Sequence, residues 1–316
     1  MTLKKPIICL GIAVADLLGG PVYRLPGRGS LELVDRMGLF AGGCAVNTAI
    51  ALARLGLPVA VIGKVGIDPL GDFLVKALAD QNVDTKAIKQ DADAGTSATM
   101  VMVDPDGERR FVHYIGANAC LTADDVELSM IDQAAILHIG GCFVMPGLDG
   151  EPTLALLRHA RQADVTTFLD TAWDAQDRWL DLIGPYLPYI DYMVPSLSEA
   201  RAITGRDEPA EIAYSLIEMG VGMVAIKMGA DGCLVMGADG LPHHFPAYEV
   251  DVVDATGAGD AFAAGFIAGV YLDWPIDETA GLANAAGALC VTAMGAQGGL
   301  GSLEETLSFM SDQDLS

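Results

Sequence analysis

Residues Asp254-Ala-Thr-Gly-Ala-Gly-Asp260, running directly into Ala261-Phe-Ala-Ala-Gly-Phe266, constrain this chain more than any other stretch. Gly257, Ala258 and Gly259 stand just before a run of small and apolar residues with helical potential, so backbone N–H groups can converge there. Such a helix start holds an anion. Asp260 lies at the same mouth, where its carboxylate could take a proton from a substrate hydroxyl while the bare N–H groups stabilise a transferring phosphoryl group. The competing reading is structural: close packing under a helix, with Asp260 an ordinary first-turn carboxylate favoured by the helix dipole. Two commoner nucleotide motifs are absent, since the chain has no G-x-x-x-x-G-K-[S/T] and Gly257 to Gly259 lacks the third Gly of a dinucleotide fingerprint.

A chain of 316 residues can bury a substantial core as one large domain or two. With 52% hydrophobic and 19% charged residues it is not a disordered chain, and no apolar run approaches the roughly 18 residues that cross a membrane. The start, Met1 to Pro6, passes into a short apolar stretch soon followed by Asp16, which is unlike a signal peptide and points to a cytoplasmic protein. A net charge of −24 removes nucleic acid from the expected partners. The same charge obliges any nucleotide site to rely on local N–H donors, a few Lys or Arg, and Mg2+. Six cysteines, at 9, 44, 120, 142, 233 and 290, form neither a C-x-x-C pair nor a cluster with histidine, so neither zinc nor a disulfide framework is expected.

Taken in order, Pro6 to Ile12 reads as a buried strand that leads to Asp16 beyond its carboxyl end, where parallel sheets bind ligands. Residues 17–40 are turn-rich and fit an excursion from the main sheet; residues 96–114 read as a hairpin turning at Pro105-Asp-Gly107. Between them, Gly42 and Gly43 open a helical pattern with Asn47 one turn inside, ending at Gly56. Val59 to Ile62 is the next strand, with Lys64 a solvated charge beyond it and a helix over 72–82. Strand, helix, strand over 134–140, 151–163 and 165–170 argues for right-handed crossovers in a parallel sheet, with His138 a satisfied core histidine. Tyr189 to Pro195 is another strand, and Gly222 to Lys227, then Met228 to Gly232, then Cys233 to Met236 read as strand, tight turn, strand. Asp277 to Met294 is helical. No internal repeat or composition break marks a second full domain, so 1–316 is read as one domain.

The D-x-x-G-A-G-D stretch and the earlier G-G-x-x-x-N-x-A stretch, Gly42 to Ala49, resemble in order the two signatures of the ribokinase-like (phosphofructokinase-B type) carbohydrate kinases. The resemblance spans about residues 6–310. It implies a three-layer α/β/α fold with a mostly parallel central sheet and a small β lid formed by 17–40 and 96–118. It implies ATP and Mg2+ as cofactors, Asp260 as catalytic base, and Gly257, Ala258 and Gly259 as the anion hole. Asp16, Gly42, Gly43 and Asn47 would hold the sugar, with His113 and Asn118 from the lid. Ser196, Lys227, Gly229, Gly232, Thr256 and Asn284 would meet ATP. Glu199 would orient water on Mg2+, and Asp254 would help bind a monovalent cation such as K+. Ser196 departs from the family pattern N-x-x-E. Arg109 and Arg110 read as solvated turn charges, or as partners for the carboxylate or phosphate of a sugar acid or sugar phosphate, and Phe111 with Tyr114 as a stacking platform if the substrate is a nucleoside. The expected activity is phosphorylation of a primary hydroxyl on a small sugar or sugar derivative, sugar acids and sugar phosphates included; a nucleoside kinase and a retired, sugar-binding regulator are the alternatives. Lid edges in relatives often pair, so a homodimer through the lid is expected.

Overall fold

The computed structural model describes residues 5–105, 109–296 and 298–314, so two of the expected hairpin-turn residues, Asp106 and Gly107, lie outside it. The chain begins with β1 (Ile7–Gly11), β2 (Val14–Gly20) and β3 (Arg36–Gly42), then α1 (Cys44–Arg54), β4 (Val59–Gly66) and α2 (Pro69–Asp80). It continues through β5 (Ile88–Asp91), β6 (Ala98–Val103), β7 (Arg109–Tyr114), α3 (Leu128–Asp132), β8 (Ile136–Cys142), α4 (Glu151–Gln162) and β9 (Thr166–Thr171). Then come α5 (Trp179–Ile183), β10 (Tyr192–Met193), α6 (Leu197–Thr204), α7 (Pro209–Glu218), β11 (Met223–Lys227), β12 (Cys233–Met236) and β13 (Pro242–Phe245). Three helices close the chain: α8 (Ala258–Tyr271), α9 (Ile276–Cys290) and α10 (Leu303–Asp314).

Nine strands form the main sheet in the order β13-β12-β11-β10-β9-β8-β1-β4-β5. Its pairs are parallel except at the β11–β12–β13 end. In β1, Ile8 and Leu10 pack into one core and Ile7 and Cys9 into the other. Burial on both faces is why its strands read as short apolar runs instead of alternating patterns. Helices α3 to α7 cover one face; α1, α2, α8 and α9 cover the other. No described helix is long and apolar enough to cross a membrane.

The excursion after β1 builds a second sheet in the order β3-β2-β6-β7. Asp16 is therefore not a loop residue at the end of β1 but the third residue of β2 in this small sheet. The helix expected at 72–82 starts earlier, because Asp68 caps it: Oδ1 accepts from Leu70 N at 3.0 Å and Gly71 N at 2.9 Å, with Pro69 at the first position. The strand expected over 189–195 shortens to β10, since Leu187–Tyr189 winds as a 3-10 turn and Pro195 lacks the N–H to extend pairing.

The small residues after Asp260 have a packing reason. Helix α8 is buried from Ala261 to Gly269. A Cβ on Gly265 would stand 2.7 Å from Ala283 Cα, and one on Gly269 would stand 2.5 Å from Thr279 Oγ1. Glycine at these two positions lets α9 lie directly against α8, and that contact holds the start of α8 at the edge of the main sheet.

Candidate active site

The two glycine-rich stretches meet at Asp260. Helices α1 and α8 start side by side: Asn47 Nδ2 donates to Asp260 Oδ2 at 2.8 Å, and Thr48 Oγ1 donates to the Asp260 carbonyl at 3.3 Å. The Cys44 thiol lies beside this carboxylate and favours its charged form. Burial pushes the Asp260 carboxyl above the ordinary range, against the pull of Asn47 and Lys227. Gly257 caps α8 in the left-handed region at φ 77°, and a Cβ there would be 2.4 Å from that of Ala296. The first-turn N–H groups of α8 have no partner inside the helix and open beside Asp260.

Lys227, at the end of β11, is the cation of the site. Its Nζ donates to Asp170 Oδ1 at 2.8 Å and would stand 3.2 Å from a Cβ on Gly259. Burial alone would lower this lysine, but Asp170 and Glu199 raise it. Asp170 is 1% exposed. Burial pushes its carboxyl up to about 7, Lys227 pulls it down, and Asp260 and Glu199 push it up. Sequence reasoning stopped at Asp170 as the end of a strand; the signal it offered was the same as that of Asp16, a carboxylate closing an apolar run. Ser196 caps α6 in a reciprocal box with Glu199: Ser196 N donates to Glu199 Oε2 at 2.9 Å, and Thr171 Oγ1 donates to the same oxygen at 3.1 Å.

On the small sheet, Phe40, Asp16, Thr99 and His113 stand opposite one another across all four strands. The Thr99 hydroxyl donates to Asp16, and its oxygen lies 3.0 Å from His113 Nδ1. Burial raises Asp16 to about 6, with Thr99 opposing and Asp260 adding to the shift. A Cβ on Gly42 would be 2.0 Å from Asp16 Oδ2, so only glycine fits beneath this carboxylate. Asn118 is fully buried and accepts from Ala13 N at 3.1 Å, fixing the turn where the chain passes from β1 into β2.

A cavity of about 620 Å3 opens on the other side of Gly259, lined by Lys227, Gly229, Gly232, Ala258, Asn284 and Ala288 among others. Asn284 Nδ2 donates to the carbonyls of Phe245 at 3.1 Å and Pro246 at 2.9 Å, so it builds the cavity wall.

The pfkB family carbohydrate kinase model matches residues 4–302. The chain belongs to this family of carbohydrate kinases. It is 31% identical to a fructokinase of Escherichia coli, covering 91% of this chain and 93% of that protein. It is 30% identical to an aminoimidazole riboside kinase of Salmonella typhimurium, covering 87% and 89%. A fructokinase with bound ATP from Xylella fastidiosa has the same fold, with a TM-score of 0.84, 25% identity and coverage of 99% and 100%.

Several side chains of this carbohydrate kinase lie elsewhere than its sequence suggests. Lys64 is not solvated: it pairs with Asp125 at 2.9 Å and donates to the Cys120 carbonyl at 2.9 Å. His138 is in the core, but among the described residues neither ring nitrogen has a hydrogen-bond partner, and burial lowers its pKa to about 3. Arg110 pairs with Asp104 at 2.8 Å, while Arg109 Nη1 reaches Thr256 Oγ1 at 2.5 Å and lies 3.7 Å from Asp254 Oδ1. Phe111 and Tyr114 do not form one platform. By strand alternation Phe111 shares the face of Asp16, Thr99 and His113, and Tyr114 lies on the other face. The Asp254 carboxylate is taken up by protein donors: Oδ1 accepts from Thr256 N at 2.9 Å and Oγ1 at 2.6 Å, and Oδ2 accepts from Gly295 N at 2.9 Å.

Proposed function

We propose that this kinase transfers the γ-phosphoryl group of ATP to a primary hydroxyl of a small, uncharged sugar or sugar derivative. The observation that carries the reading is the 2.8 Å hydrogen bond between Asn47 and Asp260, which unites both signature stretches at the mouth of α8. Asp260 accepts the hydroxyl proton as the oxygen attacks, its raised affinity for protons suiting it to general base work. The Gly257, Ala258 and Gly259 backbone stabilises the charge developing on the phosphoryl oxygens, and Lys227 adds a positive charge beside it. The adenine side of ATP takes the cavity walled by Asn284 and Ala288.

Among the described residues no three His, Cys, Asp or Glu form a metal cage. Glu199, held by Thr171 and Ser196, and Asp170, paired with Lys227, nonetheless offer hard carboxylate oxygens that suit the water shell of a Mg2+ carried on ATP phosphates. Mg2+ would neutralise phosphate charge there. The Asp254 carboxylate, which already holds Thr256 and Gly295 with Arg109 alongside, leaves less negative charge for K+ to neutralise.

The small sheet acts as a lid whose inner row, Asp16, Thr99 and His113, binds sugar hydroxyls and excludes water. Asp16 and Asp260 disfavour a sugar acid or sugar phosphate in that space. A riboside is the second reading, supported by Phe111, 59% exposed on the same face, an aromatic surface for a base. On the lid's outer face, Leu39, Leu17, Met100 and Val112 stand in one exposed apolar row, a surface suited to a second copy of this chain. The thiols of all six cysteines are free, in keeping with a cytoplasmic setting.

The test is ADP formation against pentoses, hexoses, sugar acids, sugar phosphates and ribosides, with Asp260→Asn alongside. Turnover with a neutral sugar or riboside, reduced about 10²-fold or more in the variant, is expected. ADP formation with no panel member, while calorimetry still detects sugar binding, would replace the kinase by a sugar-binding regulator.

A further inference from the structure

Arg109 belongs to β7 but serves a different part of the molecule. It shares the inner face of that strand with Phe111 and His113, and its guanidinium lies 5.9 Å from the Phe111 ring centroid. From there Nη1 donates to Thr256 Oγ1, and the Thr256 hydroxyl donates in turn to Asp254 Oδ1 at 2.6 Å. A continuous chain thus joins the small sheet to the residue immediately before Gly257. The opposite edge of the small sheet reaches the same place: the Phe40 ring lies so close to Gly295 that a Cβ there would be 2.7 Å from a ring carbon, and Gly295 N holds Asp254 Oδ2.

Charge explains why an arginine is found here. The Asp254 side chain is only 8% exposed, and hydrogen bonds hold its carboxyl ionised, below the ordinary range, with Arg109 adding to the effect. A buried carboxylate is held charged by nearby cations as well as by donors. Among the described residues Arg109 is the cation that meets it.

Building on the kinase reading above, we propose that Arg109 is a positioning residue for phosphoryl transfer. Carried in by the lid, it fixes the Asp254–Thr256 turn and hence the anion-hole backbone, and it supplies at Asp254 the positive charge that a monovalent cation would otherwise bring. The anion hole is then complete only while the lid lies over the sugar, which ties phosphoryl transfer to sugar occupancy and keeps ATP from reacting with water.

The experiment compares full-length wild type with Arg109→Met, Arg109→Lys, Thr256→Val and the Arg109→Met/Thr256→Val double variant on the best panel substrate. Each is assayed with KCl or with tetramethylammonium chloride, and thermal melts check folding. Arg109→Met should lower kcat about 10- to 100-fold, as expected for a misplaced transition-state donor, with both KM values within about threefold. Arg109→Lys should recover part of the loss. The double variant should be no slower than the worse single variant, because both substitutions break one chain. K+ should raise the rate of Arg109→Met and leave that of wild type within about twofold, and it should tighten ATP binding by calorimetry only in the variant. An Arg109→Met enzyme with wild-type kcat, additive losses in the double variant, or a wild type that requires K+ would overturn the inference while leaving the kinase reading intact. A wild type that phosphorylates nothing would overturn both.

Discussion

On the proposed function, the nucleotide side of the site is a cavity of about 620 Å3 set between α8, α9 and the strand end at Phe245, whereas the sugar side is one face of a sheet whose other face is exposed. Small residues make the first: Ala258, Gly259 and Ala288 line it, and the Gly265 and Gly269 contacts that bring α9 against α8 set its width. Core packing of α8 against α9 sets the helix side of its wall. A polar row makes the second, and that row exists only because β2, β6 and β7 pair in one register. A slip of one residue would turn Asp16, Thr99 and His113 away from the site. One half is a mould, and the other is an alignment.

Substitutions should separate the halves. Asp16→Asn removes the charged acceptor of the aligned half, and kcat/KM for the sugar should fall about 100-fold. KM for ATP should stay within about threefold. Steady-state kinetics with each substrate varied in turn would check this; an equal rise in the KM for ATP would mean the halves are not independent. Ala288→Phe tests the mould. Ala288 is nearly buried against the cavity, and the added ring should raise KM for ATP about tenfold while sugar KM is unmoved.

The halves should also differ in their response to pH. Asp16 holds its proton up to about pH 6, so kcat/KM for the sugar should climb as pH rises through 6 and level off above 7. In Asp16→Asn that limb should disappear, leaving whatever Asp260 imposes. A pH profile of kcat/KM for wild type and variant on one neutral sugar decides the matter. An acid limb unchanged in the variant would assign it to another group.

A smaller effect is expected on the outer face of the aligned half. Met100→Glu places a charge in the exposed Leu39, Leu17, Met100, Val112 row, and if this row is the proposed contact between copies, sedimentation should report a dimer for wild type and a monomer for the variant. Wild type sedimenting as a monomer would leave that row unassigned.

The same contrast explains what the sequence made legible. The mould is written locally: Asp254 to Asp260 is one contiguous segment, and the strand, turn and strand around Lys227 and Gly229 occupy another. Asn47 and Asp260 are 213 residues apart, yet each carries its own recognisable helix start, so their meeting could be anticipated. The alignment is not local. Arg109 looks like a turn charge beside Pro105, and only the alternation of β7 directs it toward Thr256 while Arg110 turns to Asp104. Phe111 and Tyr114 read as a pair until the same alternation parts them. Lys64 looks solvated because its partners, Asp125 and the Cys120 carbonyl, arrive some 60 residues later. Asp170 was missed because its partner Lys227 stands 57 residues away, on a strand two places over in the sheet.

Asp16 finally allows the smallest effect to be given a sign. Its carboxyl binds a proton more tightly in the folded protein, up to about 6, than in an unfolded chain, where 3.8 is the ordinary value. Below the lower value both states are protonated, and this side chain's contribution to stability is fully present. As pH rises toward and past 6, the folded protein must carry a buried negative charge that the unfolded chain carries in water, and that contribution is lost. Asn is neutral throughout, so Asp16→Asn should melt a few degrees above wild type at pH 8 and gain nothing at pH 4. A substitution that damages sugar turnover while raising the melting temperature is what a functional charge held against its solvation preference should give. If calorimetry instead found the variant less stable at pH 8, Asp16 would be holding the small sheet together, and the lid's inner row would be architecture before it was a binding site.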